Sequence, residues 1–355
     1  MENKIKIVLL ALLLSSASLL SQTFGGGLGT YSNPYEIHTK AHWDELAYYV
    51  NNRFDVFSAK YFKLMGPIGS PIDPITQMVG TDNKDSCFAG HFDGDNHTIT
   101  VDISSSNAYV GLFTQLGGYS FGIYNLIVTG QIQATNSRYA GGIVGNVYED
   151  GILHDCHNYA EINVNSNHCM VGGIVGFTAA NTYDCTSNGR IQVVGDYCYI
   201  GGIVGRLSGH NMVECHNYAE IKGNNSVVGG VIGWADINIS FNAHIDVCSN
   251  YADIELDLYN SSIGGIVGIS SGGANLFISD CFNIGTIMGY DNIGGIVGIG
   301  SASIEYCINN GDIIGDDCIG GILGNANSEV PFISGCINNG ILIGNGSVGG
   351  MVGCY

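Results

Sequence analysis

Composition and charge exclude several classes of partner. The chain has 355 residues, of which 54 are glycine, and its formal charge is −20, from 31 Asp and Glu against 11 Lys and Arg. No Lys or Arg follows Lys222, so the C-terminal part offers no permanent cation to a phosphate backbone or to an anionic membrane surface. Nucleic acid is therefore excluded as a partner. The carboxylates are scattered rather than clustered, which is typical of a solvated surface.

The first 21 residues have the order of a secretory signal peptide. Lys4 and Lys6 precede an apolar run from Ile7 to Leu14, and small residues follow. That apolar core is too short to span a bilayer. The sequence therefore predicts a signal peptide at 1–21 and a mature protein that is secreted or held at the cell surface. No later stretch is long and apolar enough to predict a membrane span.

Residues 22–108 predict an N-terminal cap and the first strands. The segment from Thr39 to Asn52 carries apolar residues at the i, i+3, i+4, i+7 spacing of an amphipathic helix, with Thr39 as its N-cap. These apolar residues are Trp43, Leu46, Ala47 and Val50. The segments Tyr61–Met65 and His97–Ile103 predict strands. A helix here would cover the open first coil of a repeat array, as the ends of such arrays require.

Residues 109–355 repeat one unit, Gly-Gly-aliphatic-aliphatic-Gly. A weaker copy begins at Tyr109, and the others follow at intervals of 26 to 35 residues. They begin at Gly141, Gly172, Gly201, Gly229, Gly264, Gly294, Gly320 and Gly349. Self-similarity at this period is the signature of a solenoid or a propeller.

A second element, Cys-x-Asn-x-(Ala/Gly)-x-Ile, lies between successive copies. It begins at Cys156, Cys185, Cys215, Cys248, Cys281, Cys307 and Cys336, with Ser187 in the place of Asn in one copy and Leu342 in the place of Ile in another. Its Cys, Asn, small residue and Ile are two apart, so they share one face of a strand. The array contains no helical periodicity, and its period is too short for the roughly 40 residues of a propeller blade. The predicted fold is all-β, a right-handed parallel β-helix with a short N-terminal capping helix.

Stacked coils turn each repeated position into a column with a spacing of about 4.8 Å. The Cys column then becomes a line of parallel thiols, slightly too far apart for disulfides, so we expect mostly reduced, structural cysteines. Cys169 and Cys198 form a shorter second column. The Asn column is predicted to stack its amides at an inward turn, where they satisfy backbone groups.

The two adjacent aliphatic residues of the glycine unit leave two interpretations open. Their columns begin at Ile143 and Val144, which must face opposite sides if they belong to one strand. A corner between them would bury both columns. Without a corner, one column would form an exposed apolar stripe that a partner could contact.

The array resembles the GLUG-repeat family of bacterial secreted and surface proteins. The residues that carry this resemblance are Val-Gly-Gly-Ile-Val-Gly at Val171–Gly176 and Cys-Ile-Asn-Asn-Gly-Asp-Ile at Cys307–Ile313. Upstream, Asn33–Ile37 and Phe92–Ile99 are similar to the segment that precedes such arrays. The resemblance implies a surface location and an interaction role rather than a reaction. The sequence departs from the pattern at Gly66–Val79, which is Pro-rich where a strand with Asp residues is expected.

The C-terminal end shows no counterpart of the N-terminal cap. The last copy of the unit ends at Tyr355, in the middle of a coil. We therefore expect either that the array is truncated there and belongs to a longer protein, or that a partner covers this end.

Catalytic chemistry has little support in the sequence. Arrays of the GLUG type also occur beside the catalytic domains of IgA-specific metallopeptidases, but this chain contains no His-Glu-x-x-His zinc motif. Polysaccharide lyases and hydrolases with β-helical folds need converging cations or paired carboxylates. The cations of the array, Arg138, Arg190, Arg206 and Lys222, are interpreted as solvated side chains.

Metal and phosphate sites are not predicted either. His157 and His216 occupy one repeat position two coils apart, about 10 Å, which is too far to share a metal. Asp93–Asn96 lacks the spaced acidic ligands of a calcium loop and predicts a turn. No glycine unit has the Lys or the following helix of a phosphate loop. The sequence thus predicts no catalytic residue, no cofactor and no metal site.

The sequence therefore favours a non-catalytic secreted or cell-surface β-helix that acts as an adhesive or interaction module. Its expected partner is a surface glycan or a host or matrix protein. The alternative is a carbohydrate-active enzyme, or an accessory module of one.

Overall fold

The computed structural model describes residues 24–53, 57–118, 121–148, 150–237, 242–256, 261–271, 275–327 and 331–355. Within these ranges the chain is nearly all β, with one α-helix and three parallel sheets stacked coil on coil. This confirms the predicted β-solenoid with an N-terminal helix. The signal peptide predicted at 1–21 lies outside the described residues.

Sheet 1 contains 24 strands in the described part of the chain, all paired in parallel with the coils above and below. Its strands are Tyr35–Ile37, Tyr61–Leu64, His91–Ser105, Gly122–Thr135, Ile152–Asn158, Glu161–Asn165, Asn181–Tyr183, Thr186–Ser187, Ile191–Val194, Met212–Val213, His216–Asn217, Ile221–Gly223, Ala243–Asp246, Ser249–Asn250, Ile254–Leu256, Leu276–Ser279, Phe282–Asn283, Ile287–Met288, Ser303–Glu305, Ile308–Asn309, Ile313–Ile314, Ile333–Ser334, Ile337–Asn338 and Leu342–Ile343.

Sheets 2 and 3 contain nine strands each in the same ranges. Sheet 2 consists of Tyr109–Val110, Tyr139–Gly141, Met170–Gly172, Tyr199–Gly201, Val227–Gly229, Ser262–Gly264, Asp291–Gly294, Asp317–Gly320 and Val348–Gly349. Sheet 3 consists of Phe113–Leu116, Val144–Val147, Val175–Thr178, Val204–Ser208, Ile232–Asp236, Val267–Ser271, Val297–Ile299, Leu323–Asn325 and Val352–Cys354. A short 3₁₀ helix, Lys84–Ser86, lies outside the sheets.

Each glycine unit turns the corner from sheet 2 to sheet 3. In one coil, sheet 2 ends at Gly201 and sheet 3 begins at Val204, so the corner is Gly202-Ile203. Both Ile203 and Val204 are fully buried. The corner interpretation is therefore correct, and the two aliphatic columns form core rather than an exposed stripe. Only in the last coil does Met351 become 38% exposed.

The Asn column forms a hydrogen-bonded row inside sheet 1. The amide of Asn217 donates to Asn250 Oδ1 over 2.8 Å, and the same bond continues through Asn283, Asn309 and Asn338. Each of these Nδ2 groups also donates to the carbonyl oxygen two residues further on, such as Ala219 for Asn217. The row satisfies carbonyl groups that the bend exposes, which confirms the prediction.

The Cys column is buried and reduced over most of its length. Ten cysteines form no disulfide, and the column from Cys156 to Cys307 is fully buried. Each thiol of the column donates weakly to a carbonyl oxygen of the preceding coil, for example Cys215 to Thr182 at 3.6 Å. The one exception to the expected reduced state is a disulfide between Cys318 and Cys354, which joins the last two coils.

The buried thiols are expected to be unreactive in the folded protein. The column is buried, so a reagent in solvent has no access to its sulfur atoms. Burial also raises the pKa of the Cys156, Cys215 and Cys281 thiols well above the usual range, which disfavours the nucleophilic thiolate at these positions. We expect a thiol reagent such as DTNB to titrate at most Cys87 and Cys336, which are half-buried, before urea is added. After unfolding, all ten free thiols should react. Rapid reaction of more than two thiols in the native state would contradict this burial.

The N-terminal helix Lys40–Asn52 packs on the first coils. Thr39 caps it by accepting a hydrogen bond from the His42 amide over 3.3 Å, as predicted. The residues on its buried face are the predicted ones, Trp43, Leu46, Ala47 and Val50. Trp43 donates from Nε1 to the Gln77 carbonyl over 2.8 Å and lies edge-on to the rings of Phe92 and Phe113. The helix thus fills the space that a preceding coil would occupy.

The segments around this helix also match the prediction in outline. Tyr61–Leu64 is a strand, and the strand predicted at His97–Ile103 lies within the longer strand His91–Ser105. The Pro-rich segment Gly66–Val79 contains no regular strand and contributes isolated bridges, such as Ile75 to Val101.

One residue of each coil adopts a left-handed conformation just before the Cys element. The φ angles of this column lie between 50° and 64°. Its members are Asn125, Asp155, Asp184, Glu214, Val247, Asp280, Tyr306 and Gly335. Gly, Asn and Asp tolerate this conformation, whereas a β-branched residue is strained in it.

Replacing Val247 with Asn is therefore expected to stabilise the protein. Val247 has φ 55° and is 44% exposed, so the substitution removes strain and little packing. We expect a gain of about 1 kcal/mol, seen as a higher thermal midpoint. Val194→Asn is the matched control, because Val194 is 50% exposed but lies in a strand. An equal shift in both variants would contradict the assigned strain.

Candidate functional site

A groove lies on the outer face of sheet 1, near the N-terminal end of the solenoid. It encloses about 740 Å³ and is lined by residues of the first coils and of the loop that precedes them. These residues are Tyr31, Pro34, Tyr61, Phe62, Lys63, His91, Asp93, Tyr124, Asn125 and His154. We refer to this site as the groove.

Parallel register places the groove residues in two adjacent columns. Tyr61 pairs with His91, which pairs with Gly122 in the next coil. Two positions further along the strands, Lys63 pairs with Asp93, and Asp93 pairs with Tyr124. Side chains two positions apart face the same side of a sheet, so both columns point outward into the groove.

An aromatic row forms one wall of the groove. The rings of Tyr61 and His91 are stacked, with centroids 4.4 Å apart and an interplanar angle of 8°. The ring of Tyr124 follows at 6.1 Å from His91, and its hydroxyl lies 3.4 Å from His91 Nδ1. At the other end, Tyr31 approaches Tyr61 edge-on at 5.5 Å and is 83% exposed. The row therefore ends in a tyrosine face that is open to a ligand.

Gly122 makes room for this row. A Cβ at Gly122 would overlap the ring and hydroxyl of Tyr124, so the ring could not lie over this position with any larger residue there. Tyr124 belongs to the column of Lys63 and Asp93 but leans across Gly122 toward His91. Because Gly122 has no side chain, the Tyr124 ring can lie over it, and the rings of Tyr61, His91 and Tyr124 form one continuous aromatic surface.

Polar groups form the other wall. Asp93 Oδ1 accepts from Asn125 Nδ2 and from the Asp95 amide, each at 2.9 Å. Lys63 forms an ion pair with Asp95 at 3.0 Å. Asp95 and Asn96 have positive φ, and the register of the strand shifts between Asp93 and His97. The predicted turn at Asp93–Asn96 is therefore a bulge within a strand.

The groove has little charge to offer an ion. Burial lowers the pKa of His91 below its ordinary value, so this ring is neutral at physiological pH. Burial also raises the pKa of Tyr124, which keeps its hydroxyl protonated. The positive charge of Lys63 is neutralised by its ion pair with Asp95, and Asp93 adds a negative charge. The arrangement can stack on apolar ring faces and hydrogen-bond hydroxyl groups, and it disfavours anions.

The cations considered in the sequence do not form a common site. Arg206 lies in sheet 3, over the rings of Phe177 and Trp234, and pairs with Asp236. Lys222 lies in sheet 1 between two glutamates, at 3.2 Å from each. Arg190 stands 3.7 Å from one of these, Glu220.

Arg138 lies next to sheet 2, with its guanidinium over the ring of Tyr139. The four cations therefore divide among the three sheets, and each has an aromatic or acidic neighbour. No shared anion site results from them.

The predicted histidine pair lies as expected. His157 and His216 both stand in register with Thr186, so two coil steps separate them. His157 contacts Asp155 at 3.0 Å and Thr186 at 2.8 Å. The groove residues, by contrast, carry no repeat signal, because they come from the irregular first coils.

One group of potential metal ligands exists among the described residues. It consists of Asp317, Cys318 and Cys354. Its two sulfurs are joined to each other in the disulfide, so they are not available as thiolate ligands.

Comparison with known proteins supports the fold. The chain is similar to a solved structure from Bacteroides ovatus that is named provisionally as an immunoglobulin A1 protease, with a TM-score of 0.58 and 20% identity. The superposition covers 88% of this chain and 87% of the other. At this identity the likeness concerns the fold alone.

Sequence comparison gives a partial relative. A protein of Evansella cellulosilytica, named provisionally as a Gly-rich membrane protein, is 32% identical over 139 residues. The match covers 36% of this chain and 15% of the relative's length. No family model matches the chain. In the described residues, no helix is long and apolar enough to cross a membrane.

Proposed function

We propose that this protein is a non-catalytic, secreted or cell-surface interaction module of the GLUG-repeat type that binds a neutral glycan chain in the groove. The observation that carries the proposal is the aromatic row beside a polar wall on an exposed sheet face. Secretion is supported by the charged and apolar order of the first 21 residues.

Glycan is favoured over a host or matrix protein by the shape and composition of the groove. Tyrosine rings offer apolar faces to sugar C–H groups, and Asn125, Lys63 and Asp93 offer hydrogen bonds to hydroxyl groups. The described residues that line the groove include no Val, Leu, Ile or Met side chain that would anchor a protein partner. The surplus of carboxylate over cation favours neutral sugars over uronates or sulfated chains.

A non-catalytic role is supported by how the groove carboxylates are engaged. Asp93 accepts two hydrogen bonds, and Asp95 is paired with Lys63. Glycosidases need one carboxylic acid that protonates the leaving group and a second carboxylate across the bond. The alternative, a carbohydrate-active enzyme, would have to use Asp93 despite these contacts.

Isothermal titration with cellohexaose, xylohexaose and mannohexaose tests the proposal. At least one of them should bind, and Tyr31→Ala should weaken it about tenfold, since loss of one stacking face costs about 1.4 kcal/mol. Tyr48→Ala is the matched control, because Tyr48 is 56% exposed on the helix Lys40–Asn52 and does not line the groove.

Three outcomes would contradict the proposal. The first is no binding of any of the three hexasaccharides at millimolar concentration, with binding of collagen or fibronectin instead. The second is equal affinity of the wild type and the Tyr31→Ala variant. The third is release of reducing ends that Asp93→Asn abolishes, which would establish the enzymatic alternative.

A further inference from the structure

A second feature of sheet 1 lies outside the groove, in an outward column just after the Asn row. The column contains Tyr159, Asn188, Tyr218, Tyr251, Ile284, Asn310 and Asn339. Backbone hydrogen bonds connect its coils, including Asn188 N to Asn158 O and Tyr218 N to Ser187 O, each at 2.7 Å. Tyr159 is 52% exposed and Tyr218 is 46% exposed, so both rings stand in solvent.

Along this column, Tyr159 and Tyr218 lie two coils apart, with Asn188 in the coil between them. Tyr218 and Tyr251 are in successive coils and stack face to face, with centroids 4.6 Å apart and an interplanar angle of 4°. The plane of the Tyr218 ring is therefore roughly perpendicular to the solenoid axis. The ring face that does not contact Tyr251 points toward the coil of Asn188. Tyr159 stands one coil beyond Asn188. In this column the coil between these two tyrosines carries Asn188 instead of a ring, and we call the resulting space the slot.

The width of the slot selects its occupant. Two coil steps separate the backbones of Tyr159 and Tyr218, about 9.6 Å. A flat aromatic ring between them would need roughly 7 Å, because each stacked contact takes about 3.5 Å. A pyranose ring is thicker, since its axial hydrogens keep its mean plane roughly 4 to 4.5 Å from each aromatic face, or about 8 to 9 Å in all. The spacing therefore fits a saturated sugar ring better than a planar ligand.

Polar side chains surround the slot where sugar hydroxyl groups would lie. The half-buried Asn188 forms its floor, with its amide donating to Thr186 Oγ1 over 3.3 Å. Thr186 and His157, joined at 2.8 Å, lie along one edge. Arg190, which is exposed, follows two positions after Asn188 in the same coil. Hydrogen-bonding side chains thus stand next to the slot in the coils of Tyr159 and Asn188.

We propose that the slot between Tyr159 and Tyr218 is a binding subsite for a single pyranose residue, with Asn188 as its polar floor. The subsite goes beyond the glycan-binding groove and does not depend on it, because the two share no residue.

Saturation-transfer NMR on the full chain tests the slot with methyl β-D-glucopyranoside, methyl β-D-galactopyranoside and methyl α-D-mannopyranoside. At least one glycoside should receive saturation at its ring C–H protons. Tyr159→Ala and Tyr218→Ala should each reduce that signal at least fivefold, whereas Tyr48→Ala, on the helix Lys40–Asn52 and outside both sites, should leave it unchanged. Loss of the signal in Tyr31→Ala, with the signal retained in Tyr159→Ala and Tyr218→Ala, would assign the binding to the groove and overturn the subsite.

A filling substitution provides the sharper test. Asn188→Tyr would continue the stack from Tyr159 to Tyr218, so it should abolish the signal while the thermal midpoint stays equal or rises. Asn310→Tyr is the control, because it adds a tyrosine to the same column away from the slot and should keep the signal. An unchanged signal in Asn188→Tyr would overturn the proposal. The proposal would also be overturned if no glycoside gave a signal with the wild type, while a planar probe such as indole bound the wild type and did not bind the Asn188→Tyr variant.

Discussion

Replacing Gly202 with Val is expected to prevent the array from folding or to lower its urea midpoint more than any other single substitution considered. A Cβ at this corner would overlap the Gly230 carbonyl oxygen and the Asn217 amide of adjacent segments. Neither the backbone oxygen nor the hydrogen-bonded amide can move away cheaply, so we expect a loss of about 3 kcal/mol or more. Urea unfolding followed by circular dichroism measures it, with the midpoint as the readout because long repeat arrays need not unfold in two states.

The matched control for this substitution is Gly350→Val. Gly350 occupies the same place in the glycine unit, but no heavy atom lies within 4 Å of its would-be Cβ. Its midpoint should change little. If Gly202→Val and Gly350→Val shift the midpoint equally, the clash with the neighbouring coil is not the reason for the glycine. The surface substitution Ser208→Val should also be milder than Gly202→Val.

Replacing Asn250 with Leu is the second substitution with a large expected effect. The Asn250 amide donates to Ala252 O at 2.8 Å and to Asn283 Oδ1 at 2.9 Å, and its own oxygen accepts from Asn217. Leu branches at the same carbon but is larger, and it leaves these buried groups without their partner, at about 1 to 3 kcal/mol for each unsatisfied group. We expect a loss of about 3 kcal/mol in the free energy of unfolding.

Asn310→Leu is the control for Asn250→Leu. Asn310 also bonds a neighbouring Asn across coils, Asn339 at 2.8 Å, but it is exposed, so water replaces the lost bond. Its effect should stay within about 0.5 kcal/mol. Equal losses in both variants would show that burial of the amide row is not what makes it stabilising.

The amide row also predicts a substitution of opposite sign. Ser187 interrupts the row, and its Oγ is buried without a hydrogen-bond partner. Ser187→Asn should complete the row between Asn158 and Asn217 and raise the thermal midpoint. A lower midpoint would mean that the coil of Ser187 has no room for the amide.

The sequence predicts the core of this fold well because the core is periodic. Inward positions such as Cys156, Asn158 and Ile162 recur at the same place in each coil, so alternation alone assigns them to one face. The location of the corner could not be derived in this way. Adjacent aliphatic residues such as Ile203 and Val204 are compatible with a straight strand as well as with a corner. Only the close backbone contacts at the glycines distinguish the corner from the straight strand.

Two other features, the left-handed column and the disulfide, could not be predicted from the sequence. The left-handed column includes Glu214, Val247 and Tyr306, which share a backbone conformation but no side-chain property. The disulfide joins Cys318 of sheet 2 to Cys354 of sheet 3, and Cys354 stands in register with Asn325 rather than with another Cys.

The groove was not predictable for a related reason. Its residues, among them Tyr31, His91 and Tyr124, come from the first, irregular coils, whose outward positions do not recur in the later copies, so the repeat pattern does not identify them. What could be read from the sequence was that it contains no His-Glu-x-x-His motif. The position of the binding surface required the register of the first strands.

The amide row from Asn217 to Asn338 also has a direction. From Asn217 to Asn309 each Nδ2 donates toward the next coil, and each is held in that sense by a second bond to its own backbone, as Asn309 is by Gly311 O. The amide dipoles therefore add along the solenoid axis instead of cancelling, and each bond polarises the next. The interior of this array thus carries an electrical polarity, with its positive end toward Asn338.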